Sequence, residues 1–168
     1  MPAELQDDVV LLRAWLPDDA HWYVAWTQDP DAQRFTTDPP TLTTEDVEAA
    51  IVALADQPAR AAYLVADRAT GRPVGNVALD LTGDVGNISY AVAAEARGRG
   101  IATHALRLVA ATAFQRLELS ELRLWTHADN TASRLVAERA GFHRDTSGDR
   151  LRAVKGETWP TVAYLRRR

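Results

Sequence analysis

The stretch Ile88–Phe114 reads ISYAVAAEARGRGIATHALRLVAATAF and decides the fold of the chain. Its beginning, 88–92, is rich in β-branched and aromatic residues and predicts a strand. Its last part predicts an amphipathic helix, because the following apolar residues recur at helical spacing: Ile101, Ala105, Leu106, Leu108, Val109, Ala113 and Phe114. Between the two lies a turn, 97–102, that carries two glycines. The order is therefore strand, glycine turn and helix N-terminus.

This turn predicts an anion-binding site. The first N–H groups of a helix have no partner within the helix, and the helix dipole makes that end positive. Gly98 and Gly100 let the backbone approach an anion closely, while Arg97 and Arg99 add charge at the rim. Together these groups suit a phosphate, and a pyrophosphate best. The alternative is a strand-to-helix loop whose glycines only turn and cap, since short glycine motifs have many false positives.

Composition indicates a single globular domain over residues 1–168. The apolar content of 46% and the charged content of 25% are ordinary for such a domain. The net charge of −4 argues against a nucleic-acid partner. The absence of cysteine excludes disulfides and thiol chemistry, and it indicates a cytoplasmic protein. Neither a signal peptide nor a membrane-spanning segment is predicted.

The chain as a whole predicts an α/β domain built around a mixed sheet. Strands are predicted at 9–13, 62–67, 73–81, 87–92, 122–127, from 142 onward and at 162–165. Helices are predicted at 18–28, 45–56, 101–114 and 131–140, the last one ended by Gly141. Residues 147–156 are predicted to form a polar loop.

The central turn resembles the acetyl-CoA-binding motif of the GCN5-related N-acetyltransferase (GNAT) superfamily. That motif has Gln or Arg, two residues, Gly, one residue, and Gly or Ala, and Arg97, Gly100 and Ala102 occupy the three places. A finer resemblance, to the ribosomal-protein alanine N-acetyltransferase branch, covers Leu12-Arg13, 26–30, 130–133 and 140–142. The resemblance implies a single-domain GNAT-like fold. Its central sheet would be mixed, mostly antiparallel, with about six to seven strands and about four flanking helices.

The resemblance also implies acetyl-CoA as cosubstrate, without a metal. The pyrophosphate would bind the backbone of the turn, formed by Arg97, Gly98, Arg99, Gly100, Ile101 and Ala102. The pantetheine arm would lie along Tyr90, Ala91 and Val92, and a backbone N–H near Tyr90 would polarise the thioester carbonyl. Asn130 would contact the same arm. An asparagine at this position is equally well explained as the N-cap of the following helix.

The chain departs from the superfamily at the positions that commonly transfer protons. Many relatives have a glutamate where this chain has Trp125, and a tyrosine where it has Ala137. A serine of the branch corresponds to Ser133, which is expected to bind the cosubstrate and to return a proton to the leaving thiolate; its alternative role is capping. His127 is the expected base, because it shares a strand face with Trp125 and imidazole titrates near neutral pH. A structural histidine, with ordered water as base, is the alternative.

An acceptor groove is predicted beside the first two helices. Trp22, Trp26 and Trp125 are expected to line it, although tryptophans are more often core residues. The expected reaction is direct acetyl transfer to a primary amine, carried by a protein N-terminus, a small molecule or an antibiotic. The rival functions are a non-catalytic acyl-CoA sensor and an ordinary nucleotide-phosphate binder. The branch resemblance further implies a possible homodimer.

Overall fold

A computed structural model describes all of residues 1–168. The chain forms one sheet of eight strands. The strands are β1 (Glu4–Gln6), β2 (Val10–Arg13), β3 (Arg60–Asp67), β4 (Pro73–Thr82), β5 (Val85–Val92), β6 (Glu121–His127), β7 (His143–Val154) and β8 (Glu157–Arg167). The helices are α1 (Ala20–Thr27), α2 (Pro30–Gln33), α3 (Thr44–Ala53), α4 (Ile101–Arg116) and α5 (Thr131–Arg139). None of the helices has the length and apolar character needed to cross a bilayer.

The predicted fold class is confirmed. The strand order is β1-β2-β3-β4-β5-β6-β8-β7, and every neighbouring pair is antiparallel except β5 and β6. The sheet has one strand more than the six to seven expected, because the short β1 extends its edge. The additional helix is α2, which begins directly after Asp29-Pro30. Asp29 caps it by accepting the N–H groups of Asp31 and Ala32.

The prediction of a polar loop at 147–156 is wrong. Most of this segment belongs to β7, which pairs with β8 in a long hairpin, and a register shift between Asp145 and Arg150 accommodates the extra residues. The hairpin closes through Lys155 and Gly156, whose φ angles are 51° and 79°. Two positive φ angles are typical of the two-residue turn that matches strand twist. Because β7 is largely exposed, its polar composition conceals the pairing.

The main core lies between α4 and one face of the sheet. Ile101, Leu106 and Val109 of α4 are almost fully buried against strand residues such as Val77 and Leu122. Each large apolar side chain buried in this way stabilises the fold by about 1.5–3 kcal/mol. On β3 and β4, residues alternate between this core and a second, smaller buried group that includes Ala20, Val47, Leu64 and Ala78.

The parallel strands β5 and β6 separate halfway along their length. Their pairing covers only Val85 to Asn87 on β5, and the last pair is Asn87 with Arg123. Beyond that point β5 continues to pair with β4 up to Val92, while β6 continues to pair with β8 up to His127. The second half of each strand therefore borders a gap in the middle of the sheet. The glycine turn and α4 follow directly from the open end of β5.

Candidate active site

The glycine turn presents a row of unpaired backbone donors. None of the N–H groups from Gly98 to Thr103 donates a hydrogen bond to a protein acceptor. The first helical N–H with a backbone partner is that of His104, which donates to the Gly100 carbonyl over 3.0 Å. The row combines the first turn of α4 with the residues before it, so the helix dipole adds to its positive potential. Such a row fits an anion with several oxygens, such as a pyrophosphate.

The two glycines of the turn are required by backbone conformation. Gly98 and Gly100 have φ angles of 76° and 79°, in the left-handed region that disfavours other residues. A Cβ atom at Gly98 would meet nothing within 4 Å, and one at Gly100 would meet only the His104 ring at 3.6 Å. Within the protein the turn is thus open above both glycines, where an anion would approach.

The two rim arginines differ in their surroundings. Arg99 forms an ion pair with Asp67, a residue that is only 3% exposed. This hydrogen bond from Arg99 is the main reason why the pKa of Asp67 lies below its usual value of 3.8. Arg97 lies 3.9 Å from Asp31, and both of these side chains are well exposed. Both arginines therefore keep exposed guanidinium surface at the rim, and the charge of Arg99 is the more closely balanced, by Asp67.

The backbone of β5 directs polar groups into the gap. The Ala93 N–H donates to the Val74 carbonyl of β4 over 2.9 Å. Because N–H directions alternate along a strand, those of Tyr90 and Val92 point away from β4. Both residues lie beyond the last pair with β6, so these N–H groups face the gap. Together with Ala91, they form a strand edge along which an extended, amide-containing arm fits by hydrogen bonding.

Tyr90 and Ser133 meet on the α5 side of the gap. The Tyr90 hydroxyl donates to the Ser133 carbonyl over 2.8 Å and lies 3.0 Å from Ser133 Oγ. Because the tyrosine proton is directed to the carbonyl, the Ser133 hydroxyl is the donor in the second bond. Burial raises the pKa of Tyr90 to about 12, so the phenol stays neutral at physiological pH. Asn130 caps α5 by accepting the Ser133 N–H over 3.0 Å, which fixes Ser133 in the first turn.

His127 is held by its surroundings at the end of β6. Its Nδ1 atom accepts the Asp129 N–H over 3.1 Å. Its ring packs edge-on against Trp159 and lies 5.5 Å from Phe35, measured between centroids. With Nδ1 accepting this N–H, the tautomer of the neutral ring has its proton on Nε2. These contacts are those of the structural alternative, and the role of His127 as base stays a prediction.

Of the three predicted groove tryptophans, two contact each other. Trp22 and Trp26 stack on each other in α1 with centroids 5.3 Å apart, and Trp26 also contacts Tyr23. Trp125 has no ring contact with them. Its ring carries the Arg152 guanidinium at 4.6 Å, and the residue is 37% exposed.

Strand alternation places the site residues on two sides of the sheet. Leu122 and Leu124 point into the main core, so Trp125 and His127 point to the opposite face. Tyr90 and Ser133 lie on the core side, next to α5. Ala137 is fully buried in α5. The gap between β5 and β6 connects the two faces, and a reaction there has access to groups from both.

Sequence reasoning missed three side chains of this region. For Tyr90 the sequence predicts only a role of the backbone N–H, although Tyr90 shares a strand face with the inward Ile88, which indicates an inward side chain. Arg152 and Lys155 fall in the predicted polar loop, and the signal for their hairpin is the Lys155-Gly156 pair. No group of three or more His, Asp or Glu side chains suited to hold a metal ion is present.

One family model matches most of the chain. The family model described as "Acetyltransferase (GNAT) domain" matches residues 10–143. The matched segment runs from β2 into the start of β7 and contains the glycine turn, the gap and α5. No curated protein matches the sequence.

Solved structures share the fold over nearly the whole chain. A GNAT-family acetyltransferase from Bacillus anthracis has a TM-score of 0.84 at 18% identity, with 98% of each chain covered. A ribosomal-protein-S5-alanine acetyltransferase from Vibrio fischeri has a TM-score of 0.86 at 15% identity, covering 99% of this chain and 97% of the other. The spermidine N-acetyltransferase of Vibrio cholerae, solved with CoA and spermine, has a TM-score of 0.82 at 16% identity, with 96% of each chain covered.

Proposed function

Because the chain belongs to the GNAT acetyltransferase family, we propose that it transfers the acetyl group of acetyl-CoA directly to a primary amine at the gap between β5 and β6. The bound acetyl-CoA supplies the acyl group as a thioester, which is activated toward attack by an amine. The protein contributes binding, orientation, hydrogen bonds to developing charge and a route for protons. The acceptor is an amine of a protein N-terminus or of a small molecule.

The backbone from Tyr90 to Thr103 holds the cosubstrate in this proposal. The free N–H groups from Gly98 to Thr103 bind the pyrophosphate, and Arg97 adds charge at the rim. The N–H groups of Tyr90 and Val92 bind the arm along the gap. One of them donates to the thioester oxygen, where negative charge grows as the amine attacks. A donor fixed in a strand stabilises that charge without having to reorient, which lowers the barrier.

The observation that carries the proposal is the hydroxyl pair of Tyr90 and Ser133 beside the gap. As the new C–N bond forms and the C–S bond breaks, the sulfur gains a negative charge and needs a proton. We assign its delivery to the Ser133 hydroxyl, which turns its proton from the Tyr90 oxygen to the sulfur and is then reprotonated by water. Tyr90 positions Ser133 through its two hydrogen bonds, and its high pKa keeps it a neutral partner.

The proton of the attacking amine leaves to solvent in this scheme. Trp125 and Ala137 cannot accept a proton, and the acceptor nitrogen of His127 is already bonded to Asp129 N–H. The amine attacks as the neutral base, and it must lose one further proton once the C–N bond has formed. Water at the open end of the gap takes up that proton.

The same two residues, Trp125 and Ala137, favour the rival function of a non-catalytic acyl-CoA sensor. A sensor and an enzyme would both bind acetyl-CoA at the glycine turn. They differ in that only an enzyme releases the CoA thiol when an amine is added.

The test is thiol release from acetyl-CoA with a panel of amine acceptors, comparing wild type with Ser133→Ala. We expect kcat to fall by about tenfold or more in this variant, the usual size of a general-acid contribution, with the Kd for acetyl-CoA nearly unchanged. The control is Ser147→Ala, which removes an exposed hydroxyl bonded to Asp145 in the β7–β8 hairpin. An unchanged kcat in Ser133→Ala, with chemistry rate-limiting, would remove Ser133 from the mechanism.

We extend the proposal to the cellular compartment and the oligomeric state. The absence of cysteine suits a reducing compartment, and we place the protein in the cytoplasm. The homodimer implied by the branch resemblance stays a prediction, which light scattering on the purified protein would test.

A further inference from the structure

A cavity lies on the Trp125 side of the sheet, opposite the side that holds Ser133. It has a volume of about 530 Å³, and its lining includes Thr37, Trp125, Leu151, Arg152 and Lys155. Most of these residues belong to the β7–β8 hairpin, at its closed end. The cavity lining contains two cationic side chains, Arg152 and Lys155. It also contains Trp125, which borders the gap.

Arg152 is a cation without an anionic partner. It forms no ion pair with any carboxylate, and its Nε atom is buried without a hydrogen-bond acceptor. Its guanidinium lies over the Trp125 ring at 4.6 Å, which orients it toward the cavity. Burial lowers the pKa of Arg152, and the nearby charge of Arg150 adds to this effect. The guanidinium donates no hydrogen bond to any protein group although Arg152 lines the cavity, so its terminal nitrogens are free to bind an acceptor supplied by a ligand.

The neighbouring groups reinforce the positive charge. Lys155 donates to the backbone and side-chain oxygens of Gln33, at 2.5 and 3.1 Å, and lies over the Trp159 ring at 5.4 Å. It too has no carboxylate partner. Glu157 accepts the Trp159 indole N–H, and Asp38, next to Thr37, accepts the hydroxyls of Tyr23 and Thr36. Neither carboxylate forms an ion pair with Arg152 or Lys155. The two cations of the cavity therefore have no ion-pair partner within the protein.

We propose that Arg152, assisted by Lys155, binds an oxyanion of the acceptor, a carboxylate or a phosphate that the acceptor carries in addition to its amine. This inference rests on the proposed acetyl transfer at the gap and names the class of acceptor. The planar fork of a guanidinium matches both oxyanions through paired hydrogen bonds. Trp125 packs against the carbon chain between the amine and the anion. An acceptor that carries only positive charge, such as a polyamine, is disfavoured in this cavity.

The test compares short peptide amides with a free N-terminal alanine and one variable residue in the second or third place. That residue is glutamate, phosphoserine or glutamine. For the wild type we expect kcat/KM for at least one acidic peptide to exceed that of the glutamine peptide by about tenfold or more, the range for a hydrogen bond to a charged group. The carboxylate and phosphate arms show which oxyanion is bound.

Two variants of the cavity and one distant control accompany the peptides. Arg152→Gln should remove the preference for the acidic peptide, and Lys155→Gln should reduce it. Arg116→Gln, which removes the same charge from an exposed position at the end of α4, should retain the preference. Peptide binding to the complex with coenzyme A, measured by calorimetry, repeats the comparison without catalysis. Lys155→Gln keeps the test valid if Arg152→Gln does not fold.

The outcomes separate this inference from the proposed function. If wild type acetylates acidic and neutral peptides equally well, or Arg152→Gln keeps the preference, the oxyanion site is refuted while acetyl transfer stands. If acidic peptides bind selectively through Arg152 but neither the peptides nor the panel of amine acceptors releases thiol, the oxyanion site stands and acetyl transfer is refuted.

Discussion

At the scale of single residues, Tyr90 contributes to both halves of the proposed chemistry. Its backbone N–H faces the gap, where the thioester is expected, and its hydroxyl holds Ser133 on the core side. Strand geometry produces this division, because the N–H lies in the plane of the sheet while the side chain projects from it. A substitution at this position can therefore remove the hydroxyl and leave the backbone donor in place.

Tyr90→Phe makes that separation experimentally. Losing the hydroxyl should lower kcat by about threefold to tenfold, since Ser133 keeps its proton but loses its orientation. In the double variant with Ser133→Ala, we expect no further loss beyond that of Ser133→Ala alone, because the two residues act as one unit. The Kd for acetyl-CoA should stay unchanged, since the N–H of residue 90 remains. Additive effects in this double-mutant cycle, measured by thiol release, would show that Tyr90 does not act through Ser133.

At the scale of elements, strand β5, the glycine turn and helix α4 form the unit that binds the cosubstrate. The turn leaves the N–H groups from Gly98 to Thr103 free, and it does so only because two glycines adopt positive φ angles. The unit is stabilised by burial of Ile101, Leu106 and Val109 in the core, away from the donors. Binding and folding therefore depend on different parts of the same segment.

Gly100→Asp tests this separation against a matched control. The new side chain would place a negative charge at the start of α4, where the pyrophosphate is expected, and we expect calorimetry to detect no binding of coenzyme A. Gly71→Asp is the control, because Gly71 has a similar φ of 70° in an exposed turn with nothing within 4 Å. Both variants carry a left-handed aspartate, which costs about 1–2 kcal/mol, so their melting temperatures should fall alike. Coenzyme A binding by Gly100→Asp at wild-type affinity would place the site elsewhere.

The elements also show what the sequence can predict. The segment from β5 to α4 was predicted because its strand, turn and helix signals are local and strong. The β7–β8 hairpin was missed because its exposed residues are polar and its pairing is decided by a two-residue turn at Lys155-Gly156. Arg152 was missed with it, since its meeting with Trp125 depends on pairing across β6, β8 and β7. Contacts set by strand order rather than by local pattern escape single-sequence reasoning.

At the scale of the whole molecule, a partly buried ion pair fixes the first connection of the sheet to its helices. Asp19, just before α1, accepts hydrogen bonds from both terminal nitrogens of Arg13 on β2, at 2.7 and 2.8 Å. It also accepts the Leu16 N–H over 2.8 Å. Asp19 is only 8% exposed, so its carboxylate depends on these donors. The pair thereby holds α1 and the tryptophans it carries in place beside the sheet.

This ion pair predicts how the stability of the whole domain depends on pH. Burial alone would raise the pKa of Asp19, but the hydrogen bonds from Arg13 and Leu16 outweigh it and hold the pKa below the usual 3.8. With the folded value lower than the unfolded one, the carboxylate stabilises the fold above about pH 3.8 and loses this effect as the pH falls through the folded pKa. Asp19→Asn should therefore lower the free energy of unfolding at pH 7 by about 1–2 kcal/mol.

The same variant should show a smaller loss of stability than wild type when the pH is lowered from about 5 to 2, because it lacks the group that is protonated there. The control is Asp80→Asn, which breaks the exposed Arg60–Asp80 pair and should change the free energy by less than about 1 kcal/mol. Urea unfolding at a series of pH values measures both variants. If Asp19→Asn unfolds with the same pH dependence as wild type, the ion pair contributes nothing to acid sensitivity, and the connection from β2 to α1 is held by packing alone.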